Sequence, residues 1–115
     1  MKSDPNCIFC KIVAGDMKSD LVAQDERTVA FHDIAPAAPL HVLVVSRTHY
    51  TDAAAVEDPA DLQAMFQMAR QVVRERGMED TGYRLVLNTG PHAQQSVFHV
   101  HLHVLAGRQM SWPPG

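Results

Sequence analysis

Three histidines near the carboxyl end of the chain alternate with apolar residues. His99, His101 and His103 are separated by Val100 and Leu102. Alternate side chains of an extended strand share one face, so the three imidazoles would lie about 7 Å apart on the same side. A single histidine would more often be a solvated surface residue. Three in strict alternation favour a functional face, because imidazole transfers protons near neutral pH.

Two chemistries are compatible with this histidine face. Histidines two apart on a strand can bind a catalytic zinc ion that keeps one position open for water. Alternatively, a neutral imidazole can attack phosphorus and form a phospho-imidazolium, which divides one difficult substitution into two easier steps. The neighbouring Asn88, Gln95 and Ser96 are uncharged donors suited to a phosphate, and the histidine segment holds no Asp or Glu to act on metal-bound water. These flanking residues favour phosphate chemistry.

The chain has only two cysteines, Cys7 and Cys10, and they are separated by two residues. Such a pair is compatible with a redox couple, with half of a zinc site or with two buried thiols. No second pair of this spacing exists in the sequence. The cysteines alone therefore leave all three alternatives open.

The elements that position these residues follow from hydrophobic periodicity and from turn residues. Residues 7–15 predict a short helix that ends at Gly15, and an apolar stripe after Asp58 and Pro59 predicts a long helix that ends at Gly77. Short loops join the remaining extended segments, which favours an antiparallel α+β domain with about five strands. The predicted strands are 21–24, 28–32, 41–46, 83–88 and 97–106, with a proline-rich loop at 33–39.

Composition limits the possible classes of protein. A chain of 115 residues with 46% apolar and 20% charged residues predicts one globular domain with a hydrophobic core. Its net charge of −3 argues against nonspecific nucleic-acid binding, and no apolar run is long enough to cross a membrane. The polar amino terminus lacks a secretory signal, so we expect a cytoplasmic protein.

Residues 95–105 resemble the signature of the histidine triad (HIT) family, in which three histidines alternate with hydrophobic residues. Residues 31–41, 87–90 and 107–115 resemble the Hint-like branch of that family, and the final Trp-Pro-Pro-Gly is the most specific of these matches. The resemblance implies a HIT-like fold that forms a homodimer. It also implies a short amino-terminal tail at 1–6 and a single domain at 7–115 with a carboxyl-terminal tail at 107–115.

The resemblance to Hint-like enzymes implies a role for each matching residue. The middle histidine, His101, would be the nucleophile that attacks the α-phosphorus of a purine nucleoside phosphoramidate. His103 and Ser96 would contact the phosphate and protonate the leaving amine, and His41 would support the histidine strand. Phe31, His32 and Ile34 would border the purine, and Asp33 would bind the ribose. Asn88 and Gln95 would complete the phosphate site. Trp112 would reach the partner subunit's site.

The same resemblance resolves the cysteine pair. Several bacterial members of the family complete a structural zinc site with two histidines, which correspond to His49 and His99 here. With Cys7 and Cys10 they would form a closed tetrahedral Cys2His2 shell, suited to structure rather than to catalysis. We expect zinc as a structural ion and no cofactor in the reaction.

Two positions depart from the family pattern and bear on the site. Gln94 replaces a usual glycine before Gln95 and Ser96, which puts the local loop geometry in question. Ser111 replaces a frequent histidine before Trp112, which affects contacts to the leaving group. Neither departure touches His101.

The sequence therefore predicts a nucleoside phosphoramidase or nucleotidyl hydrolase that works through a covalent nucleotidyl-histidine. One alternative is a dinucleoside polyphosphate hydrolase of the same superfamily. Others are a nucleotide-binding regulatory module without turnover and a metal hydrolase that uses all three histidines. The expected partners are an AMP-like or GMP-like nucleotide and a second copy of the chain, with no nucleic acid and no membrane.

Overall fold

Five antiparallel strands form a single sheet in the computed structural model, which describes residues 2–115. They are β1 (Leu21–Gln24), β2 (Thr28–His32), β3 (Leu40–Ser46), β4 (Tyr83–Leu87) and β5 (His101–Ala106), and their spatial order is β1-β2-β3-β5-β4. The middle strand, β3, is buried along its whole length, as its continuous apolar run predicts. The predicted α+β class with an antiparallel sheet is confirmed.

Two helices accompany the sheet, and both have the expected caps. Helix α1 (Ile8–Ala14) ends at Gly15, whose φ of 82° lies in the left-handed region that favours glycine. Helix α2 (Pro59–Glu75) begins after Asp58, whose carboxylate accepts a hydrogen bond from the Ala60 amide. Two short 3₁₀ turns, Ala53–Ala55 and Pro91–Ala93, lie in the connections.

The two helices cover opposite faces of the sheet. Apolar residues of α2, including Met65, Ala69 and Val72, pack with Val42 and Val104 in one core. On the other face, α1 packs against the strands in a second, smaller core, which comprises Cys7, Phe9, Cys10, Val29, Phe31, Leu43 and Val45. Strand β3 contributes alternate side chains to both cores, which explains its complete burial.

Strand register assigns the histidines to the face that carries α1. In the antiparallel pair of β3 and β5, His101 lies opposite Val45 and His103 lies opposite Leu43. Directly opposite residues share a face of the sheet. The intervening Leu102 belongs to the core beneath α2. The period of two in the sequence therefore separates the histidines from the larger core, as predicted.

The last strand is shorter than predicted, because β5 begins at His101 rather than at residue 97. Just before it, the Val100 amide donates to the Tyr50 carbonyl, and the His99 ring pairs with the Ser46 carbonyl. These bonds hold residues 99 and 100 against the end of β3 and the segment that follows it, outside the ladder. His99 is therefore not a strand residue, which corrects the expectation that all three histidines lie on one strand.

A buried carboxylate joins this segment to helix α2. The Tyr50 hydroxyl donates to Asp61 Oδ2 at 2.6 Å, and Arg27 donates to Asp61 Oδ1 at 2.9 Å. Asp61 is only 5% exposed, so its charge depends on these two partners. The network fixes Tyr50 and, through the Val100 amide, the start of the histidine strand.

Candidate functional site

A cavity of about 450 Å³ lies on the α1 side of the sheet. Its walls come from α1, from the segment that precedes β1, from the end of β2 and from β5. Several of its walls are apolar, while three histidines and two aspartates are among the residues that supply polar groups. The lining residues are Ile8, Phe9, Ile12, Met17, Lys18, Ser19, Asp20, Phe31, His32, Asp33, Ile34, Leu43, Ser96, Val97, His101 and His103.

The structure brings together most of the residues predicted for nucleotide binding. Seven of them line the cavity, namely Phe31, His32, Asp33, Ile34, Ser96, His101 and His103. Asn88, Gln95 and Trp112 do not line it in the single chain. The apolar wall from α1, which includes Phe9 and Ile12, was not predicted as part of the site. Both residues are apolar and lie in the predicted short helix at 7–15, so their hydrophobicity is the signal that could have identified them.

His101 is held with one ring nitrogen protonated and the other free. Its Nδ1 lies 2.7 Å from the His99 carbonyl oxygen. A carbonyl can only accept, so Nδ1 carries the hydrogen and the lone pair of the neutral ring is on Nε2. Phe9 packs edge-on against the ring at 5.2 Å, and the residue is 6% exposed. This tautomer suits a nucleophile at Nε2.

His103 is held in the complementary arrangement by His41. The Ala37 amide donates to His41 Nδ1 at 2.9 Å, so the proton of neutral His41 sits on Nε2. That Nε2 lies 2.9 Å from His103 Nδ1, which must accept, and the proton of His103 is consequently on its own Nε2. His103 therefore offers the cavity a ring N–H donor.

Burial keeps both of these histidines neutral. Burial, and then the nearby rings of His101 and His41, lower the pKa of His103 to about 4. Burial also lowers the pKa of His41, although the carboxylate of Asp33, with Oδ2 at 3.4 Å from His41 Nε2, opposes that shift. The tautomers described for His41 and His103 therefore apply at neutral pH.

A second cluster lies at the amino end of α1 and contains the predicted metal ligands. Cys7, Cys10, His49 and His99 place one donor atom each within 4.8 Å of all the others. His99 Nδ1 lies 3.2 Å from His49 Nδ1 and 3.4 Å from Cys7 Sγ, and Cys10 Sγ lies 3.3 Å from His49 Nδ1. In a tetrahedral Cys2His2 zinc shell, the ligand atoms are roughly 3.3–3.8 Å apart. The donor set and its spacing fit zinc.

The protonation of this cluster also fits a metal. His99 Nε2 donates to the Ser46 carbonyl at 2.7 Å, which leaves the lone pair of Nδ1 for the cluster. Burial lowers the pKa of His99 to about 4, so the ring is neutral. Burial raises the pKa of the Cys7 thiol, so a thiolate there needs a cation beside it. Residues 2–6 border the cluster, and the Asp4 amide lies 3.4 Å from Cys10 Sγ.

With this geometry established, comparison with known proteins places the chain in a family. Residues 14–110 match the HIT domain family. This chain is a member of the HIT family. Its predicted assignment to that family is confirmed, and the fold and the triad agree with it.

Relatives in plants share much of the HIT sequence. The chain is 42% identical over 116 aligned residues to the 14 kDa zinc-binding protein of Zea mays, covering 97% of this chain and 90% of the maize protein. It is 37% identical to the adenylylsulfatase HINT1 of Arabidopsis thaliana, covering 98% and 79% of the two chains. The second match supports the Hint-like relation.

Solved HIT structures superpose closely on this one. A HIT family hydrolase from Legionella pneumophila has a TM-score of 0.91 at 40% identity, with 96% of this chain and 100% of that chain covered. A histidine triad protein from Clostridium difficile also has a TM-score of 0.91, at 35% identity, with coverages of 95% and 96%. At the level of the family, the chain is grouped with hydrolases.

The departure of this chain from the HIT pattern at Gln94 has a visible backbone consequence. Among residues 2–115, Gln94 is the one non-glycine residue with a positive φ, at 60°. The following Gln95 side chain builds the loop, since it donates to the Thr51 and Val97 carbonyls and accepts from the Gly90 amide. Its side chain is therefore engaged within the protein, and its backbone amide is engaged as well, since it donates to the Gly90 carbonyl at 3.1 Å.

The carboxyl-terminal tail lies apart from the cavity within one chain. Trp112 is 81% exposed, and Arg84 donates to the preceding Ser111 carbonyl at 2.9 Å.

Among residues 2–115, no helix has the length and apolar character needed to cross a bilayer.

Proposed function

We propose that this protein is a nucleoside phosphoramidase that cleaves the P–N bond of purine nucleoside 5′-phosphoramidates. The observation that carries the proposal is the pair of tautomers in the cavity. His101 has a free lone pair on Nε2, and His103 has a hydrogen on Nε2. One ring can attack an electrophile while its neighbour donates to the anion that the electrophile carries.

The proposed reaction has two steps. In the first, His101 Nε2 forms a bond to the α-phosphorus as the P–N bond breaks, and the departing nitrogen takes a proton through Ser96 or His103. In the second, water attacks phosphorus, the bond to Nε2 breaks, and the nucleoside monophosphate leaves while the proton of water restores the donor. His99 stabilises the positive ring of the intermediate, because its carbonyl accepts the Nδ1 hydrogen. No cofactor takes part in either step.

The cavity suits the other parts of such a substrate. Phe31, Ile34 and His32 border the space for the purine, and the Asp33 carboxylate serves as an acceptor for the ribose hydroxyls. The Ser96 amide and Asn88 contact the phosphate, whereas the Gln95 amide serves the loop by donating to the Gly90 carbonyl. We also propose a homodimer in which Trp112 reaches the partner subunit's cavity, since its indole is exposed and unused within one chain.

The nucleophile is tested by mass spectrometry of the intact protein after an acid quench. Adenosine phosphoramidate should label the wild type with one nucleotidyl group. His101→Ala should abolish the label and lower kcat by at least 10⁴-fold, because the covalent route is lost. Undiminished turnover in this variant, with the dimer and zinc content intact, would refute the mechanism.

A second leaving group is favoured by one comparison. The Arabidopsis relative is called an adenylylsulfatase, and in adenylyl sulfate the same α-phosphorus carries sulfate, which leaves without a proton. Adenosine phosphoramidate, adenylyl sulfate and diadenosine polyphosphate should therefore be compared as substrates. A preference for the last would indicate a dinucleoside polyphosphate hydrolase, and AMP binding without any turnover would indicate a regulatory module.

We further propose that Cys7, Cys10, His49 and His99 bind one structural zinc ion. The fit of the donor set supports this, as does the zinc-binding name of the maize relative. Protein purified without chelator should contain about one zinc per chain by elemental analysis. Absence of bound zinc after purification from zinc-supplemented medium would eliminate the site.

We retain a cytoplasmic location as a prediction.

A further inference from the structure

We infer that Arg108, which lies outside the cavity, is a positioning residue that fixes the tautomer of His103 through the loop at 34–39. Its catalytic consequence rests on the proposed function, whereas the tautomer can be measured without substrate. The inference joins three hydrogen bonds: Arg108 to Ala37, Ala37 to His41, and His41 to His103.

The first step is the dependence of His41 on a single backbone donor. A neutral imidazole can place its hydrogen on either nitrogen, and the choice is made by whichever partner faces Nδ1. Here that partner is the Ala37 amide, at 2.9 Å. Asp33 Oδ2, at 3.4 Å from His41 Nε2, also favours a hydrogen there, so loss of the amide produces a mixture of tautomers rather than a complete change.

The second step is the way in which the loop is held. Its prolines, Pro36 and Pro39, lack amide hydrogens, and the Ala35 amide is used by Asp33 Oδ1 at 2.8 Å. Arg108 Nε donates to the Ala37 carbonyl at 3.0 Å, from the chain segment that follows β5. Arg108 therefore anchors Ala37, whose amide donates to His41, to the segment that follows β5.

Close packing beside Arg108 supports this role. A Cβ atom placed on Gly107 would lie 2.9 Å from Pro39 Cβ, and Gly107 has a φ of 94°. The backbone therefore approaches the loop more closely than any other residue type permits. This contact places Arg108, the next residue, beside the loop.

The third step is the consequence for the cavity. With the hydrogen of His41 on Nε2, His103 accepts at Nδ1 and presents an N–H to the cavity. If His41 changed tautomer, its Nε2 would accept instead, the hydrogen of His103 would move to Nδ1, and a lone pair would face the phosphate. A lone pair repels the anion that an N–H would stabilise.

The test combines ring ¹⁵N spectra of histidine-labelled protein with steady-state kinetics on adenosine phosphoramidate. In the wild type, His41 and His103 should both carry hydrogen on Nε2, with the His103 signals assigned from their loss in His103→Ala. Arg108→Ala should shift the His103 nitrogens toward a mixture of tautomers and lower kcat about 3- to 10-fold, with KM changed by about twofold or less. Ala37→Pro removes the donor itself and should lower kcat about tenfold or more.

The matched control is Arg70→Ala, which removes the same type of side chain from the exposed side of α2. Its spectra and kinetics should equal those of the wild type. If Arg108→Ala behaves like Arg70→Ala in both measurements, the inference is wrong. If the wild type cleaves no phosphoramidate but the tautomers respond as described, the proposed function fails and the positioning role of Arg108 stands.

Discussion

Two groups of histidines in this protein have the spacing of metal ligands, yet they differ in where the ring hydrogens lie. One is the Cys7, Cys10, His49 and His99 cluster, and the other is formed by Asp33, His41 and His103. In the first group, His99 directs its hydrogen outward to the Ser46 carbonyl. In the second, the Ala37 amide occupies His41 Nδ1, so the His41 hydrogen points into the group.

This difference separates a metal site from a proton-donor site. A metal at His41 Nε2 would require the ring hydrogen to move to Nδ1, where it would oppose the Ala37 N–H. The cluster that contains His99 needs no such rearrangement, because its Nδ1 already holds a lone pair. The distances between donor atoms do not distinguish the two groups. The hydrogen-bond partners outside each group, the Ser46 carbonyl and the Ala37 amide, do distinguish them.

The largest effect on either group is expected from removing a ligand of the proposed zinc site. Cys10 lies near both histidines of the cluster, so Cys10→Ala should abolish zinc binding. The free energy of unfolding should fall by about 4 kcal/mol or more, since bound metal stabilises only the folded chain. Urea unfolding with parallel elemental analysis measures both effects. Equal stability of the variant and the wild type would show that the cluster is not a metal site.

The reciprocal change is His103→Ala in the other group. It removes the proposed phosphate donor, and kcat for adenosine phosphoramidate should fall about 10²- to 10³-fold, as for loss of one oxyanion-hole donor. Zinc content should not change, because His103 does not contact the cluster. Loss of zinc in this variant would mean that the two groups are not independent.

The smallest effect concerns protonation of the second group. The usual pKa of histidine is 6.5, which applies to the unfolded chain, whereas His103 in the folded protein has a pKa of about 4. Between these values the unfolded state binds more protons, so stability falls as the pH falls. The full shift corresponds to about 2 kcal/mol between pH 7 and 5, and solvent screening of the partly exposed ring reduces this contribution. At constant zinc concentration, the wild type should therefore lose about 1 kcal/mol more than His103→Ala over this range in urea unfolding. Identical losses would place the His103 ring in a more solvated setting than the structure does.

Much of the fold could be predicted because its signals are local. Strands 21–24 and 28–32 match the structure to the residue, and the caps at Gly15 and Asp58 end and begin the helices as expected. These features depend on periodicity and on turn or cap chemistry, which a short stretch of sequence contains. The resemblance to the family supplied the long-range pairing of the cysteines with His49 and His99.

Other features depend on contacts between distant residues and could not be predicted locally. Strand β5 begins only at His101 because the Val100 amide donates to the Tyr50 carbonyl and the His99 ring donates to the Ser46 carbonyl, both outside the ladder. In the sequence, Asp61 is an ordinary acidic residue in the first turn of a helix. Its contacts with Tyr50 and Arg27 exist only in the folded chain, so they could not be predicted locally. Gln95 is predicted to bind phosphate, but its side chain bonds to Gly90 and to the distant Thr51, and its backbone amide donates to the Gly90 carbonyl.

Helix α1 is only seven residues long, yet successive residues on it serve different sites. Its capping residue Cys7 and its Cys10 belong to the cysteine–histidine cluster, whereas Phe9 and Ile12 are walls of the cavity. Such a short helix has no flexible joint between these residues, so it can move only as a rigid unit. Any rotation that spreads the four sulfur and nitrogen atoms of the cluster therefore also displaces the Phe9 ring that packs edge-on against His101. The spacing of these four atoms and the width of the cavity are consequently coupled.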